Sequence, residues 1–170
     1  FTNDEGQEVT SPELFIAAID NPGAARQITR LGGSVLGRPS WAPDAVRLVI
    51  SSNYDGDEDL WILTDDGNNL QKITNNDFAD RDPAWAPSGE VILYASEQES
   101  GPGSGLTELF TITSDGQNIT QLTNADRSSY SPAWSPDGQY IVFASDRNGD
   151  GDIFIMEASG QNFRLITGDD

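Results

Sequence analysis

The chain has 170 residues, and its 28 acidic against nine basic side chains give a formal net charge of −19. A length of this size fits one domain, and the charge argues against a nucleic-acid partner, since phosphate binding needs a basic surface. The absence of histidine and cysteine from the sequence excludes a histidine-based catalytic triad, a thiol nucleophile and the usual zinc sites, and no apolar stretch is long enough for membrane insertion.

Residues 1–30 are predicted to be part of a unit that the rest of the chain repeats in full. Residues 14–17 and 25–29 match the third and last strands of that unit, and residues 1–4 resemble residues 143–146 in its second strand. Natural domain boundaries rarely cut a strand, because the cut leaves backbone donors and acceptors unpaired. We therefore expect the chain to be a piece of a longer protein, or to complete the broken unit through another chain.

Three complete units follow, each marked by a tryptophan between two prolines. Trp41, Trp85 and Trp134 lie 44 and 49 residues apart, a period typical of propeller blades. The three units are predicted at residues 31–74, 75–123 and 124–170.

Each unit contains four predicted strands, of which the tryptophan segment supplies the first. The second is predicted at residues 46–50, 90–95 and 140–144, the third at 60–63, 109–112 and 153–156, and the last at 70–74, 119–123 and 163–167. Asp-Gly or Ser-Gly pairs supply most of the hairpin turns. The second strands are apolar almost without interruption, which is typical of strands that are covered on both faces.

These units predict an all-β fold. We expect a β-propeller with three complete four-stranded blades and a partial N-terminal blade, forming one domain over residues 1–170 and belonging to a larger propeller. Blades stacked face to face around an axis cover both faces of each sheet. Because Trp41, Trp85 and Trp134 recur at one position of the blade, we assign them to packing rather than to ligand binding.

The blade sequence resembles the TolB-type propeller repeat, which is also described as WD40-like. In that family a blade reads roughly P-x-W-S-P-D-G, an apolar strand, S-D-R-x-G-x-x-[DE]-I-[YF], then D-G and L-T. Residues 132–138, 145–154 and 165–167 match this pattern most fully. The middle unit lengthens its hairpin at residues 101–105 and lacks S-D-R, and the first unit has Ser-Asn-Tyr at residues 52–54 instead.

The resemblance implies a periplasmic or extracellular protein, often a docking surface within a cell-envelope complex. We therefore predict a non-catalytic binding scaffold, not an enzyme, whose blade loops meet a protein or peptide partner. The same repeat occurs in propellers attached to prolyl-oligopeptidase-like and tricorn-like peptidases, so an accessory propeller of such a peptidase is one alternative. Another is a propeller fragment that self-associates through its incomplete blade, since unpaired strand edges favour association.

Two acidic hairpin loops between second and third strands are candidate calcium sites. Their oxygen-bearing side chains stand at alternate positions, and glycines let each loop curl around a hard cation. The predicted ligands are Asn53, Asp55, Asp57 and Asp59 in the first unit and Asp146, Asn148, Asp150 and Asp152 in the last. The alternative is that these are ordinary hairpin residues in Asx turns.

A carboxylate recurs just before the third strand of every unit. This position holds Glu13, Asp59, Glu108 and Asp152. A ligand site is normally built once, whereas an architectural position recurs with the blade. We therefore expect these carboxylates to accept backbone or hydroxyl hydrogen bonds near the turn.

Overall fold

A computed structural model describes residues 11–32, 34–97, 106–124, 127–149 and 151–167. Within these ranges every regular element is a β-strand. The described part of the chain has no helix long and apolar enough to span a bilayer. The predicted second-strand segment at residues 1–4 lies outside the described ranges.

Fourteen strands in the described part of the chain form one two-stranded and three four-stranded antiparallel sheets. The partial blade contains β1 (Phe15–Ala18) and β2 (Asn21–Gln27). The first blade contains β3 (Val35–Trp41), β4 (Arg47–Ser52), β5 (Asp59–Thr64) and β6 (Gln71–Lys72). The middle blade contains β7 (Asp80–Trp85), β8 (Val91–Glu97), β9 (Thr107–Thr113) and β10 (Thr120–Gln121). The last blade contains β11 (Ser129–Trp134), β12 (Tyr140–Ser145), β13 (Asp152–Glu157) and β14 (Arg164–Leu165).

The blades succeed one another as an open β-propeller. In each four-stranded sheet the spatial order of the strands is their chain order. The first strands of neighbouring blades contact each other, β3 with β7 and β7 with β11, whereas β10 and β14 form exposed edges. The first strands therefore face the axis and the last strands face outward. This confirms the predicted fold class, with three complete four-stranded blades and a partial one.

The last strand of each complete blade is shorter than the sequence predicts. β6, β10 and β14 span two residues each, because a threonine side chain replaces a backbone acceptor at the end of the ladder. The Leu60 N–H donates to Thr74 Oγ1 at 2.9 Å, and the Leu109 N–H donates to Thr123 Oγ1 at 2.8 Å. Since a side chain supplies this hydrogen bond, the ladder of backbone pairs stops before the threonine.

Each complete blade has two faces, which we name by chain direction. The leading face looks back toward the preceding blade, and the trailing face looks toward the following one. The leading faces carry Trp41, Leu48, Ile50, Trp61 and Leu63 in the first blade, Trp85, Ile92, Tyr94, Phe110 and Ile112 in the middle blade, and Trp134, Ile141, Phe143, Phe154 and Met156 in the last. The trailing faces carry Val49, Leu60, Ile62 and Ile73 in the first blade, Leu93, Ala95, Leu109 and Leu122 in the middle blade, and Val142, Ile153, Ile155 and Ile166 in the last.

The hydrophobic core lies between these faces rather than within any one sheet. The trailing face of the first blade packs with the leading face of the middle blade in one apolar cluster. The trailing face of the middle blade packs with the leading face of the last blade in a second cluster. Full burial of one large aliphatic or aromatic side chain is worth about 1.5–3 kcal/mol. Each blade therefore depends on its neighbours for stability.

A glycine in the turn between third and fourth strands lets neighbouring blades approach closely. Gly67 has a positive φ of 85°, and a Cβ at this position would lie 2.0 Å from the Ile28 carbonyl oxygen of the partial blade. No side chain fits at that distance. The turn glycine that the sequence marks as a hairpin signal is therefore also a contact between blades.

The three repeated tryptophans are not equally buried, which corrects the assignment of all three to packing. Trp85 is 6% exposed, and the half-buried Trp134 donates from Nε1 to the Ala84 carbonyl at 3.1 Å. Trp41 is 45% exposed. Among the described residues the sheet that precedes Trp41 contains only β1 and β2. No first or second strand in that part of the chain covers the indole ring.

The turn between first and second strands provides a test of backbone strain. Ala45 has a φ of 58° at the position that Gly89 and Gly138 occupy in the later blades. A left-handed conformation costs a residue with a Cβ about 1–2 kcal/mol. We expect Ala45→Gly to raise the free energy of unfolding by about 1 kcal/mol in urea denaturation. Gly89→Ala, at a φ of 77° with Pro43 3.1 Å from the added Cβ, should lower it. If Ala45→Gly and Gly89→Ala changed the free energy of unfolding in the same direction, this account would be contradicted.

Candidate functional site

An acid–threonine pair recurs in all four blades. The threonine near the end of the last strand donates its hydroxyl hydrogen to the carboxylate that precedes the third strand. The pairs are Thr29 with Glu13, Thr74 with Asp59, Thr123 with Glu108 and Thr167 with Asp152. In each pair the threonine oxygen also accepts the N–H of the residue after the carboxylate. This confirms the expected hydroxyl hydrogen bonds to the recurring carboxylates.

The acidic loop of the first blade brings three carboxylates together. Asp55, Asp57 and Asp59 each place a carboxylate oxygen within 4.8 Å of the others. The Lys72 Nζ lies 2.6 Å from Asp55 Oδ2 and 2.6 Å from Asp59 Oδ2. Burial alone would lower the pKa of Lys72, but the two carboxylates raise it above its ordinary value. For Asp59 the effect of burial is to raise the pKa. Hydrogen bonds from Lys72 and Thr74 partly offset this rise.

Lys72 is the only lysine in the sequence, and it stands where a bound cation would neutralise the loop. Its ammonium also lies 5.7 Å from the centre of the Trp61 ring. The fourth predicted ligand, Asn53, is engaged by the backbone, because its Oδ1 accepts a hydrogen bond from the Ser34 N–H at 2.7 Å. An internal ammonium that pairs with Asp55 and Asp59 offers a way to hold the cluster without a metal. The calcium site at this loop stays a prediction.

The acidic loop of the last blade is arranged differently. Asp146 accepts a hydrogen bond from the Tyr130 hydroxyl at 3.1 Å, and Asp152 accepts one from Thr167 Oγ1 at 3.1 Å. Asn148 is exposed, and Asp150 lies outside the described residues. The two described carboxylates are thus both engaged with protein hydroxyls. Calcium binding by this loop also stays a prediction.

Arg147 follows Asp146 and holds the same loop to its blade. Its guanidinium lies 4.8 Å from the Phe154 ring centre and 4.6 Å from that of Phe163. It donates to Ser145 Oγ and Ser129 Oγ at 3.1 and 3.2 Å. Burial lowers its pKa below the ordinary arginine value. The arginine of the S-D-R motif therefore packs and orients the hairpin.

Asp80 is a fully buried carboxylate that the sequence pattern does not single out. It begins β7, where its side chain accepts hydrogen bonds from Ser96 Oγ and from Asn76 Nδ2, the latter at 2.9 Å. Burial raises the pKa of Asp80 to about 6, although Ser96, Thr74 and Asn76 favour the charged form. A carboxylate therefore changes its charge near neutral pH at the junction between the first and middle blades.

The loops around Lys72 and Asp80 form an acidic loop surface, which we define as Tyr54, Asp55, Asp57, Glu58 and Asp77. Tyr54 is exposed and stands edge-on to the Trp61 ring, with ring centres 5.5 Å apart. Arg81 Nε pairs with Glu58 Oε2 at 2.6 Å. The Asp80 N–H donates to the Glu58 carbonyl at 2.7 Å, which joins the loops of two blades. Asp55 and Glu58 are already paired with Lys72 and Arg81, whereas Asp77 is exposed.

The carboxylates at the opposite end of the blades act within their own turns. Asp44 accepts from the Val46 and Arg47 N–H groups at 2.9 and 3.0 Å. The backbone hydrogen bond from Arg47, followed by that from Val46, lowers the pKa of Asp44 to about 2. Asp66 and Asp137 likewise accept hydrogen bonds from residues of their own turns. These carboxylates stabilise hairpins and do not converge on a common point.

Residues 6–104 match the TolB β-propeller domain family. Among curated relatives, 56 residues are 34% identical to the Tol-Pal system protein TolB of Desulfosudis oleivorans, covering 33% of this chain and 13% of that protein. Another 56-residue match, 36% identical, is to the uncharacterized peptidase YuxL of Bacillus subtilis, covering 32% of this chain and 8% of that protein.

Solved structures agree on the fold. A protein from Agrobacterium tumefaciens, provisionally assigned as TolB, superposes with a TM-score of 0.82 at 20% identity, covering 99% of this chain and 60% of that one. TolB from Acinetobacter baumannii gives a TM-score of 0.75 at 20% identity, covering 92% and 37%. A puromycin hydrolase gives 0.65 at 18% identity, covering 94% and 28%. The chain thus spans 60% or less of the length of each of these proteins.

Asp80 is expected to make the protein less stable at neutral than at acidic pH. Its folded-state pKa of about 6 lies above the ordinary value of 3.8. The folded state therefore binds the Asp80 proton more tightly than the unfolded state does. The stability that this tighter binding provides is lost as pH rises from the unfolded-state pKa to the folded-state pKa. Compared with the native protein, Asp80→Asn should gain up to about 3 kcal/mol of unfolding free energy between pH 4 and pH 7.5.

The control for this experiment is Asp137→Asn. Hydrogen bonds within the turn, first that from Ser135, lower the pKa of Asp137. The stabilisation that charged Asp137 provides is present at neutral pH and is lost as pH falls. Relative to the native protein, the unfolding free energy of Asp137→Asn should therefore decrease as pH rises, which is opposite to the change expected for Asp80→Asn. Urea denaturation at a series of pH values measures both. A pH-independent effect of Asp80→Asn would contradict the assigned titration.

Calcium binding to the first acidic loop can be tested through Lys72. If the carboxylates take calcium, the ammonium competes with the metal, so Lys72→Met should bind calcium more tightly than the native protein in calorimetry. Arg81→Met removes a neighbouring positive charge that pairs with Glu58 and controls for net charge. Absence of calcium-dependent heat in both Lys72→Met and the native protein would remove the calcium hypothesis for this loop.

Proposed function

The chain belongs to the TolB β-propeller domain family, and from that membership we propose that it is a non-catalytic scaffold that binds a protein or peptide partner in the cell envelope. We propose further that the partner presents basic side chains to the acidic loop surface. The periplasm is the proposed compartment. The family resemblance, which implies a periplasmic or extracellular protein, supports this proposal.

The observation that carries this proposal is the exposed Tyr54 in an acidic hairpin, where Asp55, Asp57 and Glu58 follow it in the chain. Aromatic side chains bury a large area at low entropic cost and are frequent at the centres of protein interfaces. Carboxylates around such a ring accelerate the encounter with a basic partner and select for its charge. The net charge of −19 acts in the same direction over longer distances.

The use of the recurring carboxylates supports a non-catalytic role. Asp59, Glu108 and Asp152 are each hydrogen-bonded to the threonine of their own blade. A carboxylate committed to a threonine hydroxyl is poorly placed to activate water or a substrate. With no histidine in the sequence, the nucleophile–histidine arrangements of hydrolases have no candidate in this chain.

A second candidate function is an accessory propeller of a peptidase. The match to an uncharacterized Bacillus subtilis peptidase favours it, as does the fold likeness to a puromycin hydrolase. In that role the propeller would position substrate for a hydrolase domain elsewhere in a longer chain. A serine nucleophile within G-x-S-x-G in the parent sequence would favour this second function.

The binding proposal predicts selective recognition of basic peptides. Fluorescence anisotropy should detect binding of a labelled lysine- and arginine-rich peptide that weakens with added salt, and no binding of an acidic peptide of the same length. Tyr54→Ala should weaken binding by about fivefold or more, as expected for an aromatic residue at the centre of an interface.

Tyr140→Ala is the matched control. Tyr140 is as exposed as Tyr54, at 44% against 46%, but it follows the turn at the opposite end of the blades. Equal losses for both variants would show non-specific attraction to a negatively charged protein and would overturn the assignment to the acidic loop surface.

A further inference from the structure

An arginine stacks on a tryptophan at the junction between the first and middle blades. Arg47, on the trailing face of the first blade, places its guanidinium carbon 4.9 Å from the centre of the Trp85 ring. Its Nε donates to Asp44 Oδ2 at 2.7 Å, which holds the guanidinium over the ring. Trp85 is buried in this arrangement. A planar guanidinium on an indole face combines a cation–π contact with stacking.

The junction between the middle and last blades repeats the backbone frame of that contact. A Cβ on Gly89 would lie 3.1 Å from Pro43 Cγ across the first junction, and a Cβ on Gly138 would lie 3.7 Å from Pro87 Cδ across the second. Corresponding turns therefore lie against each other at both junctions, and each junction lies between two complete blades.

The two junctions differ in the side chain that faces the tryptophan. Val91 begins β8 as Arg47 begins β4, and both lie on the trailing face of their blade. Val91 is shorter than arginine and carries no charge. The half-buried Trp134 borders a cavity of about 580 Å³, whose lining includes Pro87, Val91 and Asp137. The second junction thus has room beside the indole for a side chain that the first junction supplies from within.

The lining of the cavity includes the negative charge that a guanidinium requires. Asp137 is exposed, and the hydrogen bonds that it accepts from Ser135 Oγ and the Gln139 N–H both end on Oδ1. Asp44 likewise uses Oδ1 for backbone donors of its turn, and it uses Oδ2 for Arg47. Oδ2 of Asp137 is therefore the chemical counterpart of the oxygen that binds Arg47, presented from the blade on the other side of the junction.

We propose that this cavity binds an arginine side chain of a partner peptide, with the guanidinium stacked on Trp134 and paired with Asp137. The internal contact of Arg47 with Trp85 and Asp44 is the precedent for this binding mode. The net charge of −19 favours the approach of a cationic group. The site lies at the end of the blades opposite the acidic loop surface, and binding here is independent of the function proposed for that surface.

Titration with Nα-acetyl-arginine amide, followed by protein NMR, tests the site. The indole Nε1–H signal of Trp134, identified by its loss in Trp134→Phe, should shift progressively as the guanidinium approaches the ring. Nα-acetyl-citrulline amide has nearly the same shape as the arginine probe and no charge, so it should bind about fivefold more weakly. An unshifted Trp134 signal, or equal binding of the two probes, would overturn the proposal.

Charge variants distinguish this cavity from the rest of the acidic surface. Asp137→Asn should weaken binding of the arginine probe by about threefold, as expected for an exposed ion pair. Asp115→Asn removes the same charge from a turn at the same end of the blades, outside the cavity lining, and should bind the probe as the native chain does. Tyr54→Ala, on the acidic loop surface, should also leave binding unchanged. Equal weakening by Asp137→Asn and Asp115→Asn would show general attraction to negative charge and would contradict the assigned site.

The arrangement of the first junction can also be transferred to the second. In the double variant Ser88→Asp with Val91→Arg, an internal guanidinium should cover Trp134 and weaken binding of the arginine probe by about tenfold or more, because an attached group competes at high effective concentration. Ser88→Asp with Val91→Thr keeps the added carboxylate without the guanidinium and should still bind the probe. Circular dichroism checks that both variants fold. Undiminished binding in the folded arginine variant would show that the probe binds elsewhere and would overturn the proposal.

Discussion

The structure depends on burial of apolar blade faces against one another. In the described part of the chain, no four-stranded sheet has a core of its own, because side chains on successive positions of the central strands point to opposite faces and both sets are apolar. Val49 and Ile50, adjacent in β4, are both fully buried, one in the cluster with the middle blade and the other in the cluster with the partial blade. A β-sheet with two apolar faces is stable only between two neighbours. The glycines in the turns between third and fourth strands follow from the close approach that this stacking requires.

The second constraint is the handling of negative charge. Buried carboxylates are costly unless hydrogen bonds or opposite charges compensate them. In every blade the acid–threonine pair supplies a compensating hydrogen bond. Lys72 supplies a compensating positive charge to Asp55 and Asp59. Turn carboxylates such as Asp44 satisfy local backbone donors instead. Much of the acidic excess is thus structural. On the acidic loop surface Asp55 and Glu58 already pair with Lys72 and Arg81, so the proposed binding of a basic partner depends mainly on Tyr54, Asp57 and Asp77.

The fold could be predicted from the sequence because the blade repeats its tryptophan, its turn glycines and its apolar strands at a fixed period. The recurring carboxylates could be assigned to architecture for the same reason. The exposure of Trp41 could not be predicted, since it depends on which neighbour is present and not on the local pattern. The role of Lys72 was missed because it lies in a different strand from the carboxylates that it pairs with. Its rarity in an acidic chain was the available signal. The repeat does not mark Asp80 as structural, because Val35 and Ser129 occupy the same strand position in the other blades.

Native-state hydrogen exchange tests the dependence of each blade on its neighbours most directly. In dilute solution, amides of β8 and β9, whose blade is covered on both faces, should exchange only through opening of the whole structure. Amides of β12 and β13, whose blade is covered on one face, should exchange faster through a smaller opening. Equal protection of the middle and last blades in the monomer would show that a blade is stable without a neighbour on each side, and it would contradict the account.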